Sequence, residues 1–252
     1  MKNKIRDYNI ENLLTSEITK LVPDTTSRII IPCGALEAHG AVGLGTDTII
    51  PKGLAEELAP RLNALISPAI PFGVLKTLAN YSGSVTLTES LYKDLIYEIG
   101  SGFIDTGFDE IIFLNGHSGN RSGIKKAAFE LHRDFSIYAL VYDWFMEKDD
   151  ITMAIYDGPG GHSGAGEVGL VAAFNPDAAP NNLWNKDDAG TLNPAIAAFP
   201  GPYPIILMEE DSGLPDYDLE KAKTFKNEVV ELAFKSLDKV IHRWDEIKKG
   251  KD

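Results

Sequence analysis

Glu37 and His39 stand two positions apart in the stretch ALEAHGAVGLGTDT at 35–48, and after three glycines the same stretch supplies Asp47. Further on, N-G-H-S-G-N at 115–120 carries His117, and G-G-H-S-G-A-G-E at 160–167 carries His162 and Glu167. Gathered in one place, Glu37, His39, Asp47, His117 and Glu167 offer two imidazoles and three carboxylates. Such a mixed nitrogen and oxygen set suits zinc, manganese or iron, and it holds two divalent ions if one carboxylate bridges them. Each residue also has a plainer reading. Asp47 would serve as a helix N-cap, N-G-H-S-G-N as an ordinary strand-to-helix turn, and His162 as an exposed loop residue; it is their conjunction that points to a metal.

The elements on either side decide whether they can meet. SRIIIPC at 27–33 is a β-branched run followed by Gly34, and 48–62 has helical spacing with Pro51 in its first turn. EIIFL at 110–114 is a second buried-strand candidate, with helix-like 124–133 and strand-like 136–144 after it. Shorter strands are expected at 64–70 and 84–88, and helices at 90–108 and 219–247. Alternation at this spacing favours a parallel α/β sheet, in which ligands bind beyond the carboxyl ends of the strands. His39 and His117 both fall just after predicted strands, so two loops deliver imidazoles to one edge. Glu37 and His39 project to the same side of an extended segment, and Gly40, Gly43 and Gly45 allow Asp47 to fold back. His162 and Glu167 share a face if helix begins near Ala165. The stretch 175–216 reads as mostly loop, a length that in a compact domain serves a site, lid or subunit interface.

The remaining candidates carry less. His132 and His242 sit in amphipathic helices and read as structural or surface residues. Cys33, the single cysteine, is a conceivable nucleophile but fits a small buried apolar residue better. Trp144 either walls a pocket or fills the core. The chain of 252 residues has no long linker-like tract, so one domain over 1–252 is expected. Its formal charge of −13 argues against nucleic acid and anionic membranes as partners. The positive start, Met1 to Arg6, is followed by no apolar core of signal-peptide length. One cysteine rules out an intrachain disulfide framework and fits a reducing, cytoplasmic compartment.

The motifs, taken in order, resemble those of the creatininase (creatinine amidohydrolase) family. Residues 34–40, GALEAHG, and 43–48, GLGTDT, are similar to the family's G-(S/A)-x-E-Q-H-G and L-x-x-G-T-D-T; 115–120 matches N-G-H-x-x-N. Residues 162–169, HSGAGEVG, resemble H-A-G-x-x-E-T-S, and 81–87, YSGSVTL, resemble F-P-G-T-I-S-L. The resemblance implies a three-layer α/β/α sandwich with a mostly parallel central sheet, frequently a hexamer, acting on a small-molecule substrate. It further implies a centre of two divalent ions, zinc first, with manganese or iron as alternatives. Carried over, Glu37 and His117 would bind one ion, His39 the other, and Asp47 would bridge them. Creatininase has a Tyr-Glu pair after the N-G-H histidine, the glutamate being a ligand; here Ser118 and Gly119 stand there. Glu167 is the candidate replacement ligand, with His162 or Glu167 handling the proton that goes to the leaving nitrogen. The expected activity is hydrolysis of a C–N amide bond in a small cyclic or polar compound by a metal-activated water. The alternatives are a binuclear-metal C–C hydrolase, lyase or deformylase on a polar ring compound, and a non-catalytic metal-binding scaffold.

Overall fold

The computed structural model describes residues 4–193 and 195–250. The outer parts of both charged ends, 1–3 and 251–252, and position 194 within the expected long loop, lie outside the described residues. In chain order the elements are α1 (Thr15–Leu21), β1 (Arg28–Cys33), α2 (Thr46–Leu62), β2 (Leu65–Ile66), α3 (Glu89–Asp105), β3 (Glu110–Asn115), α4 (Arg121–Phe135) and β4 (Tyr138–Asp143). They continue through α5 (Asp149–Tyr156), β5 (Gly161–His162), α6 (Ala165–Phe174), β6 (Ala189–Thr191), β7 (Ile205–Leu207) and α7 (Leu219–Lys249).

Strands β2, β1, β3 and β4 form a parallel sheet in that order, with Arg28 to Cys33 in register with Glu110 to Asn115. The central strands read as near-continuous apolar runs because helices cover both faces. Successive side chains alternate between two cores. Ile30, Ile112 and Leu114 pack with Leu54 and Leu58 of α2, Val171 of α6 and Phe225 of α7. Ile29, Ile31, Cys33, Ile111 and Phe113 pack instead with Tyr92 and Ile96 of α3 and Ile124 and Leu131 of α4. Helices, sheet and helices make three layers. Among the described residues no helix is long and apolar enough to cross a membrane.

One expectation needs correction and another needs detail. Residues 84–88 form no strand; only isolated bridges, Leu36 to Val85 and Gly73 to Thr86, tie them to neighbouring loops. Their neighbours are irregular, so no ladder extends. The stretch 175–216 is mostly loop, as expected, but it also holds the short β6 and β7, and β7 pairs antiparallel with β5 and parallel with β6 in a second, three-stranded sheet. That small sheet carries His162.

At the amino ends of β1 and β3 lies a polar cluster of a different kind. Arg28 pairs with Glu110 and Asp245, and Lys248 reaches Glu110 at 2.7 Å and Asp109 at 2.9 Å.

Candidate metal centre

The carboxyl ends of β1 and β3 lie side by side, so the loops leaving them press together over the start of α2. A Cβ on Gly116 would sit 2.0 Å from the Asp47 carbonyl oxygen, and one on Gly34 would sit 2.8 Å from the same atom. Only glycine permits that approach. Pro51, four residues beyond Asp47, has no N–H to give this carbonyl. The expected hinge at Gly40, Gly43 and Gly45 is therefore only partly right: Gly40 has φ +63, whereas Gly45 is an ordinary helix-flanking residue at φ −86. Helix α2 begins two residues earlier than expected. Asp47 thus lies inside the first turn, buried, and its side chain makes no cap hydrogen bond, which removes the N-cap reading.

The structure brings all six predicted side chains together. His117 Nδ1 is 2.8 Å from Asp47 Oδ2 and 3.4 Å from Glu37 Oε2; His39 Nε2 is 3.2 Å from Asp47 Oδ1 and 3.6 Å from Glu167 Oε2. Asp47 therefore faces two trios, Glu37–Asp47–His117 and His39–Asp47–Glu167, whose ligand atoms lie within 4.8 Å of one another. His162 joins Glu37 and His39 in a third grouping, with its Nδ1 3.9 Å from Glu37 Oε2 and its ring 4.2 Å from that of His39. Glu167 accepts from the Ser163 amide at 2.6 Å, which aims it from the first turn of α6.

The outer nitrogen of each imidazole fixes the inner one. His39 Nδ1 contacts the Glu37 carbonyl at 3.0 Å, His117 Nε2 the Val74 carbonyl at 3.0 Å, and His162 Nε2 the Ala38 carbonyl at 2.9 Å. A carbonyl oxygen only accepts, so each of these nitrogens carries the hydrogen. In the neutral rings, the lone pairs then point at the carboxylates. Metal-binding histidines are held in this way. With the rings neutral, two buried atoms, His39 Nε2 and Asp47 Oδ2, have no hydrogen-bond partner among the described residues. Burial alone would lower the histidine pKa values. The Asp47, Glu167 and Glu37 carboxylates outweigh it at His39, raising it to about 10, and Asp47 and Glu37, with the Val74 hydrogen bond, raise His117 to about 9. Burial would likewise raise Asp47, but His39 and His117 hold its carboxyl well below the usual range. Cations therefore fit this centre, and without metal the raised values of His39 and His117 favour their protonated forms.

Several supporting residues escaped sequence reading. Asn120 accepts from the Val74 amide and donates to the Gly34 carbonyl, both at 2.9 Å, so it positions the residue whose carbonyl holds His117. Asn115 accepts from the His117 amide at 3.1 Å and donates to Asp143 at 2.7 Å. The two asparagines of N-G-H-S-G-N were the available signal. Ser84 accepts from the Ala38 amide at 3.0 Å, giving the 84–88 segment a buttressing role. At Gly119, a Cβ would lie 1.9 Å from the Val74 carbonyl oxygen, so the backbone there leaves no room for a side chain. A cavity of about 540 Å³ opens onto Asp47, His117, His162 and Glu167. Its walls include Phe145, Ile206 and Leu207, whereas Trp144 is buried in the core. Cys33 is buried, and burial pushes its thiol up to about 12, so it is no nucleophile. His132 contacts the Ile137 carbonyl at the end of α4, and His242 is exposed beside Glu246.

This arrangement of layers and loops is shared with solved structures: a Zn–Zn type creatininase mutant superposes with a TM-score of 0.80 over 94% of this chain and 99% of that one, at 19% identity. The family model for creatininase, described as creatinine amidohydrolase, matches residues 11–213. The chain belongs to the creatininase family of hydrolases. Creatinine amidohydrolase of Pseudomonas putida is 26% identical, covering 81% of this chain and 83% of that protein. A mycofactocin precursor peptide peptidase of Mycobacterium tuberculosis is 29% identical over 71% of each chain.

Proposed function

We propose that the chain is a divalent-metal-dependent amidohydrolase that cleaves a C–N amide bond in a small polar substrate. Glu37, Asp47 and His117 would hold one ion, His39, Asp47 and Glu167 the second, with Asp47 shared. The observation that carries this reading is the orientation of the imidazoles: backbone carbonyls fix their outer nitrogens and leave the inner ones facing a carboxylate that belongs to two trios. Three buried carboxylates that pair with no lysine or arginine among the described residues are costly unless a cation joins them. Bound divalent ions would supply an activated water near neutral pH and polarise the scissile carbonyl.

The chain's own residues then divide the remaining work. Gly119 closes the usual ligand position, and Glu167 takes it from the opposite loop. His162 is the proton carrier: its side chain is 21% exposed against 0–11% for the other five, and it lines the cavity. With Nε2 bonded to Ala38, its Nδ1 takes a proton from the attacking water and returns it to the leaving nitrogen. The peptidase relative supports a peptide amide as a second substrate type. Chelation followed by readdition of zinc or manganese, with turnover of a panel of cyclic amides, linear amides and short peptides, tests the proposal. Turnover should vanish and return. His162→Gln should lower kcat by about 100-fold with metal content unchanged; full activity after verified metal removal would overturn the proposal.

A further inference from the structure

Lys148 precedes α5 and lines the 540 Å³ cavity, yet it is only 5% exposed. It is the one lysine or arginine among the residues lining that cavity. A buried ammonium is expensive unless paired, and it carries three donors. Its ion-pair partner is Asp149 at 3.1 Å, whose side chain is 48% exposed and so largely solvated. Among the described residues, one hydrogen bond to a rim carboxylate leaves most of the donor capacity of Lys148 unused. Among the other residues of the cavity lining, Phe145, Leu192, Ile206 and Leu207 are apolar. At the cavity's other polar region, three carboxylates facing two divalent ions would leave a small net positive charge, so a negative group there meets no repulsion.

We infer that Lys148 is a specificity-determining residue that receives a carboxylate of the substrate, so that the preferred substrates are amides bearing a carboxylate beyond a short apolar spacer. The inference rests on the metal-hydrolase reading above. A single ammonium matches one carboxylate; a phosphate would call for more donors or an arginine fork. The apolar lining fits the spacer, and the metal centre receives the amide.

Calorimetric titration of zinc-loaded full-length protein with glutaramate and with glutaramide tests this, because the two probes differ only in one carboxylate. The wild type should bind glutaramate about tenfold more tightly than glutaramide, as expected for a charge-assisted hydrogen bond in a sheltered site. Lys148→Met should bring the ratio to about one with glutaramide affinity unchanged, and Lys148→Arg should keep a clear preference. Melting curves confirm that both variants fold, and Lys148→Arg alone still decides if Lys148→Met does not. A preference that survives in Lys148→Met, is absent from the wild type, or disappears in a folded Lys148→Arg overturns the inference. Metal content measured on the same samples reports separately on the hydrolase reading: absence of bound zinc sinks that reading, while the ratio still tests Lys148.

Discussion

The two ends of strands β1 and β3 each carry a polar cluster built around a buried carboxylate, Glu110 at one end and Asp47 at the other, and the clusters solve their charge problem differently. At the amino ends, Glu110, Asp109 and Asp245 are matched by Arg28 and Lys248. At the carboxyl ends, Glu37, Asp47 and Glu167 face imidazoles and, among the described residues, pair with no lysine or arginine. The first cluster brings its own counter-charges and ties α7 to the sheet. The second is short of cations, and its histidines are oriented as if to receive them. A buried cluster's missing charges, more than its charges, mark it as functional.

Asp47→Ala should separate the two ends most sharply. Losing the shared carboxylate should reduce bound metal from about two ions per chain to less than one and cut kcat/KM by more than about 10³-fold. Elemental analysis and kinetics on the purified variant check both. Retention of two ions would remove Asp47 as the bridge. Glu110→Gln makes the opposite cut. It leaves Arg28 and Lys248 short of a buried partner and should cost about 3 kcal/mol, or a fall in Tm of roughly 6–12 °C for a chain of this size. Metal content and kcat should stay within twofold. If instead metal is lost, the amino-end cluster is not merely structural.

Much of this contrast was legible in the amino-acid order. SRIIIPC and EIIFL announce themselves because strands buried on both faces cannot alternate polar and apolar residues. Glu37, His39 and His117 follow those strands directly, so sheet topology alone brings them to one edge. What stayed hidden depends on partners distant in sequence. Asn120 looks like a turn residue until Val74 and Gly34 are seen on either side of it. Strands β5, β6 and β7 have only two or three residues each, too few for any periodicity to register. Lys148 belies the expectation that a lysine is exposed, and nothing in its neighbours' identities marks it.

Asn120→Ala tests whether the hidden scaffold matters to the carboxyl-end cluster. It unpins the Val74 peptide without touching a predicted ligand. Outer-shell changes of this kind weaken metal affinity by about 10- to 100-fold. Competition with a chelator of known affinity measures it. An unchanged affinity would mean that the Val74 carbonyl holds His117 without help.

The last difference between the two ends is their response to pH. His39 and His117 have folded-state pKa values of about 10 and about 9, above the ordinary 6.5. In metal-free protein their protonation stabilises the fold fully below about pH 6.5, and that contribution is lost as pH rises through about 9 and then about 10. Asp47 contributes nothing to this window, because its depressed pKa confines its effect to acid. Metal ions on the same ring nitrogens would replace the protons, so loaded protein has none of this stability to lose, and metal affinity itself should rise with pH. Melting curves at pH 6.5, 8 and 9.5 should therefore fall by roughly 5 °C or more for chelator-treated protein and stay nearly level for loaded protein. At the amino ends, burial would lower the Lys248 pKa but Glu110 and Asp109 raise it, so that cluster should contribute equally to both curves. Parallel curves would show that the imidazoles are not where metal and proton compete.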